Sequence, residues 1–108
     1  MDIQPLYTRL KKVQEASGYC MNRDLETTFS LLEALVKNRE RYGYMSCPCR
    51  LAKEDPAADR DIICPCLYRE ADVREYGSCY CGLYVSAAWN EGRVPHQYVP
   101  ERRPSELC

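Results

Sequence analysis

A small, mainly α-helical single domain, with cysteine pairs on loops and helix ends, is the fold class this sequence predicts. Three observations carry the prediction. The chain has 108 residues, room for one modest core. Apolar residues recur at helical spacing in two segments of the N-terminal half. Three Cys-X-Cys pairs then follow, Cys47-Pro48-Cys49, Cys64-Pro65-Cys66 and Cys79-Tyr80-Cys81, separated by short stretches with capping residues and glycines. No internal domain boundary interrupts residues 1–108, and about 92–108 reads as an irregular C-terminal arm rich in proline and charge.

The elements are justified in order. Leu6, Leu10 and Val13 fall at helical spacing behind Pro5, a residue suited to a helix start, and Gly18 ends the run. Leu25, Phe29, Leu32, Leu35 and Val36 form an apolar stripe for the core, with Glu26, Glu33, Lys37 and Glu40 left for water. Asn22 or Asp24 caps this second helix, and Gly43 closes it. Asp55-Pro56 starts a short helix that delivers Ile62 and Ile63 to the core, and Asp72 to Gly77 reads as one capped turn. Gly82 to Val85 is compatible with a short extended piece or a helix start.

Composition narrows the function. Fifteen basic and 16 acidic side chains nearly cancel, which argues against nucleic acid or an anionic membrane as the main partner. No run of about eighteen apolar residues predicts a membrane span, and the first residues do not read as a signal peptide. The expectation is a cytoplasmic protein, where a reducing poise disfavours structural disulfides and eight cysteines point to metal or redox chemistry.

Six of those thiols lie within 35 residues, 47 to 81. Fourteen residues (50–63) separate the first two pairs and 12 (67–78) the last two. Zinc ribbons use Cys-X-X-Cys knuckles, so the shorter spacing counts against zinc. An iron–sulfur cluster takes four thiolates, which would leave two thiols free beside it, as a disulfide-reducing site requires. Pro48 and Pro65 fix φ and remove a backbone donor, so each Cys-Pro-Cys turn can aim its two sulfurs in different set directions.

The order Cys-Pro-Cys, Cys-Pro-Cys, Cys-X-Cys followed by Gly82-Leu83 resembles the catalytic chain of ferredoxin–thioredoxin reductase. The helical segment from Met21-Asn22 to Gly43 and the arm Pro100-Glu101-Arg102-Arg103-Pro104 are similar to that family too. The resemblance implies short helices around one [4Fe–4S] cluster, with Cys47, Cys64, Cys66 and Cys79 as its ligands. It implies a redox-active disulfide between Cys49, the more exposed attacking thiol, and Cys81, which stays with the cluster. It further implies ferredoxin as electron donor, thioredoxin or a similar protein as substrate, and a small second chain in some members. The family's third pair usually reads Cys-His-Cys, whereas Tyr80 stands here. A phenol titrating near about 10 stays neutral where an imidazole near about 6.5 switches, so a less pH-sensitive step near neutrality is expected.

Two other readings belong to different classes: a [4Fe–4S] electron carrier with Cys49 and Cys81 inert, and a structural zinc module for protein interaction. Outside the motif, His96 is the one histidine and reads as solvated, or as a stand-in for the missing family histidine if the tail folds over the site. Cys20 reads as a small buried apolar residue, Cys108 as a mobile thiol without a task, and Trp89 as packing. Arg102-Arg103 and Lys11-Lys12 are candidate contacts for an acidic ferredoxin.

Overall fold

The computed structural model describes residues 2–108. Helix α1 spans Gln4–Ala16, with Pro5 in its first turn. Helix α2 spans Leu25–Tyr42. Asp24 caps it, accepting from the Thr27 N–H, and Gly43 ends it at φ +88°, donating to the Arg39 carbonyl at 2.8 Å. Between the helices, β1 (Cys20–Met21) pairs antiparallel with β2 (Tyr84–Val85), Cys20 opposite Val85 and Met21 opposite Tyr84. Helix α3 covers Arg69–Tyr76, and a single turn, α4, covers Ala87–Asn90. The architecture is mainly α, and among the described residues no helix is long and apolar enough to cross a membrane.

The core joins Ile3 and Leu6 of the α1 region, Leu32, Leu35 and Val36 of α2, Met21 and Tyr84 of the strand pair, and Leu83 just before β2. Cys79 belongs to this cluster, and Cys64 and Cys81 pack against it. The cysteine pairs are therefore built onto the core. Gly77 shows how tightly: its φ is +79°, and a Cβ there would meet Trp89 Cδ1 at 3.1 Å.

Several expectations need correction. Val13 is 53% exposed and Leu25 50%, because each sits at the edge of its helix's apolar face with no neighbouring element over it. The stretch after Asp55 forms turns and one 3-10 turn, Arg60–Ile62, that buries Ile62 and Asp59. Asp72 begins no turn; it lies inside α3, fully buried. Gly82 to Val85 resolves as a loop into β2, and Cys20 is half-buried in β1.

The C-terminal arm is irregular, as expected, but it is tied down by ion pairs. Arg102 Nε meets Asp72 Oδ1 at 2.9 Å and its Nη2 meets Glu75 Oε2 at 2.7 Å. Arg103, its side chain 2% exposed, donates to Asp61 at 2.8 and 3.1 Å and to the Ala58 carbonyl at 3.1 Å. Arg103 is thus buried within the chain, whereas Arg102, a third exposed, and Lys11, bonded to Glu15, stay at the surface in ion pairs.

Burial pushes the Asp61 carboxyl up, but hydrogen bonds from Arg103 and Tyr68 outweigh it and hold it below its ordinary value. A carboxylate held this way stabilises the fold above its unfolded pKa of about 3.9 and loses that contribution as pH falls through the folded value. Arg103→Met is expected to cost about 3 kcal/mol at neutral pH, because it strands a largely buried carboxylate. The gap from the parent chain should narrow as acid protonates Asp61, and urea unfolding over a pH series checks both.

Candidate cysteine-lined redox site

Backbone pairing brings the first two cysteine pairs side by side. Ser46 bridges Ile63 antiparallel, the Cys47 N–H donates to the Ile62 carbonyl at 2.7 Å, and the Cys64 N–H donates to the Met45 carbonyl at 2.8 Å. The third pair sits on a tight loop leading to β2. There the Cys79 N–H donates to the Tyr84 carbonyl at 2.9 Å, and Gly82, at φ +82°, donates back to the Cys79 carbonyl at 3.0 Å. Equivalent turns close the other pairs, Arg50 N–H to the Cys47 carbonyl and Arg69 N–H to the Cys66 carbonyl, each at 3.2 Å. The peptide bond before Pro65 is cis.

The result is two adjoining cavities. Cys47, Cys64, Cys66, Cys79 and Cys81 line the inner one, a tight space, with Arg50, Arg69, Tyr80, Leu83 and Tyr84. Cys49 is absent from its lining. It opens instead onto an outer cavity of about 420 Å³ with Arg50, Leu51, Lys53, Tyr80, Glu101 and Cys108. Arg50 and Tyr80 border both spaces and form the wall between them. The first Cys-Pro-Cys turn therefore aims Cys47 inward, buried, and Cys49 outward, exposed.

All eight cysteines are free thiols. The Cys81 sulfur lies 2.8 Å from that of Cys47. Its hydrogen bonds to Cys47 and Cys49, together with burial, keep the proton on Cys81. Receiving that hydrogen bond lowers Cys47 to about 7 against the burial that opposes it, and lowers Cys49 as well. Arg50 helps both through its charge. Burial pushes the Cys64 and Cys79 thiols up, so neither becomes a thiolate unaided.

Arg50 is the residue that the motif analysis missed. Its side chain is 3% exposed. Its Nε and Nη2 reach Glu101 at 2.7 Å each, and Nη1 lies 3.5 Å from the sulfurs of both Cys47 and Cys66. The guanidinium carbon stands 4.5 Å from the Tyr80 ring centroid and 5.3 Å from that of Tyr68. Arg69 supplies a second cation to the inner cavity, bonded to Gln14 and held over Tyr19 and Tyr84. The available signal was positional, since each arginine lies three residues after an inward-facing cysteine.

Tyr80 engages Arg50 through its ring. Burial and the Glu101 charge push its phenol up, so it stays neutral. His96 stacks on Trp89 at 3.6 Å between ring centroids and meets the Trp89 carbonyl at 2.7 Å; it lines neither cysteine cavity.

Five inward thiols line one cavity with two arginines in its wall, a donor set suited to an anionic four-thiolate iron–sulfur group, for which Cys47, Cys64, Cys66 and Cys79 would be four of the five. Among the described residues, no three Cys, His, Asp or Glu side chains group as a ready single-ion site. Burial also ranks thiol reactivity. A timed alkylation read by mass spectrometry is expected to label Cys49 and Cys108 first, with Cys47 and Cys79 protected until denaturant is added.

Residues 2–102 match the family described as ferredoxin thioredoxin reductase catalytic beta chain. A curated relative from Guillardia theta, named "Ferredoxin-thioredoxin reductase, catalytic chain", is 35% identical over 86 residues, covering 74% of this chain and 80% of its own length.

Proposed function

From the premise that the chain belongs to the ferredoxin–thioredoxin reductase catalytic chain family, and is an oxidoreductase, we propose that it reduces protein disulfides at Cys49 and Cys81 with electrons from ferredoxin. The substrate is thioredoxin or a similar small dithiol protein. In this reading Cys47, Cys64, Cys66 and Cys79 hold a [4Fe–4S] cluster. One observation carries it: five motif thiols line the inner cavity, while the sixth, Cys49, faces the open one across a shared wall.

When bound, the cluster supplies electrons singly to a disulfide whose opening takes two. The protein's residues do the rest. Cys49 is exposed and favoured as thiolate by the Cys81 hydrogen bond and Arg50, so it attacks the partner's disulfide and forms a mixed disulfide. Cys81, behind it, attacks the Cys49 sulfur and releases the reduced partner. Arg50 holds permanent positive charge beside the sulfurs without titrating, and Tyr80 screens the inner cavity from water. Exposed Leu51, beside Cys49, offers an apolar contact to the partner.

Metal analysis of protein purified without oxygen tests the cofactor: about four irons and four sulfides per chain are expected, and zinc without sulfide would sink the proposal. Cys49→Ser is expected to abolish disulfide reduction while retaining iron; a variant that still reduces disulfides would leave an electron carrier as the better reading. The disulfide step should show no titration near about 6.5 in the parent chain, and Tyr80→His should introduce one. A pH–rate profile of both proteins decides it, and a parent titration that survives Tyr80→Phe would contradict the role given to Tyr80.

A further inference from the structure

Cys108 has no part in the chemistry proposed above, yet it lines the outer cavity with Cys49. Both are exposed free thiols. The chain leading to Cys108 is fixed as far as Arg103, which is bonded to Asp61 and the Ala58 carbonyl and borders the same cavity. Beyond Arg103 the hold loosens. Residues 104–108 are all exposed. One 3-10 turn is closed by Leu107 N–H to the Pro104 carbonyl at 3.0 Å and Cys108 N–H to the Ser105 carbonyl at 3.2 Å. The Cys108 thiol itself donates only weakly, to the Pro104 carbonyl at 3.6 Å. Five residues span up to about 17 Å when extended. A disulfide needs its Cα atoms within about 7 Å. Cys49 and Cys108 already line one cavity, so opening one exposed turn on a fixed anchor lets Cys108 search the space around Cys49 at the high local concentration of a short tether.

We propose that Cys108 is a second disulfide partner of Cys49, an outer resolving thiol on the solvent side of the nucleophile, as Cys81 is the inner one. This rests on Cys49 being the attacking thiol. The exchange balances within the two proteins. In the mixed disulfide, the Cys108 thiolate attacks Cys49 Sγ; the Cys49–Cys108 bond forms and the bond to the partner breaks. The partner's second sulfur leaves as a thiolate and takes a proton from water, so its disulfide has become two thiols. The two electrons have come from Cys49 and Cys108, now oxidised to a disulfide. The Cys81 thiolate then attacks Cys49 Sγ and expels Cys108, which returns the oxidation to the inner pair. The partner can therefore leave before Cys81 is available.

The test uses oxygen-free, iron-loaded Cys81→Ser protein and one equivalent of dithiodipyridine. Capping Cys49 releases one thiopyridone, and attack by Cys108 releases a second. The expected result is a second release at a rate independent of protein concentration, with Cys49 and Cys108 joined in a non-reducing peptide map. Adding Cys108→Ser should slow that release by on the order of a hundredfold. The same map on briefly oxidised parent chain should contain the Cys49–Cys108 peptide beside Cys49–Cys81, so the result does not hang on one variant's folding. Absence of the peptide from both proteins, or a rate that rises with protein concentration, overturns the inference and leaves Cys49 as nucleophile. Failure of Cys49 to take the cap overturns both.

Discussion

A permanent positive charge buried among sulfurs organises this molecule. Taking a guanidinium out of water costs several kcal/mol unless every donor finds a partner. Arg50 finds them in the paired oxygens of Glu101, the sulfurs of Cys47 and Cys66, and the faces of Tyr68 and Tyr80. Those partners come from four separate stretches of chain, so satisfying one side chain draws the first two cysteine pairs, the third-pair loop and the C-terminal arm together. The arm is then a structural wall of the site. Glu101 holds Arg50 from behind and also accepts the Arg103 N–H at 2.9 Å, which sets the direction in which the chain leaves.

The same constraint separates two kinds of thiol. Inside the wall, burial raises the cost of a free thiolate at Cys64 and Cys79, which favours sulfur bound to metal over sulfur free to react. Outside it, Cys49 is exposed and leans toward thiolate. A single Cys-Pro-Cys turn spans both environments. Cys47 and Cys49 both lean toward thiolate, so what the wall sets between these residues two positions apart is exposure.

What the sequence disclosed was mostly local. The stripe through Leu32, Leu35 and Val36, the Asp24 cap and the Gly43 stop all lie within a few residues of the helix they define, and all are present as read. The three cysteine pairs announced themselves by spacing. What stayed hidden depends on partners far along the chain. Arg50 meets Glu101 across 51 positions and Arg103 meets Asp61 across 42, so no periodicity connects them. Nothing local marks Asp59 or Asp72 for burial; it follows from cations and donors contributed by other segments. Val13 and Leu25 fit their stripes in register but lie beyond the edge of what the neighbouring elements cover.

The third-pair loop is held by its backbone: Cys79 N–H to Tyr84, Gly82 N–H to Cys79, and the Asn22 side chain to the Gly82 carbonyl. None of these bonds passes through the side chain at position 80. Position 80, whose ring lies against Arg50 and borders both cavities, is thus one whose exchange leaves the loop's own hydrogen bonds intact. An imidazole or a phenol can therefore stand there on the same loop backbone, with the sulfurs on either side held in place.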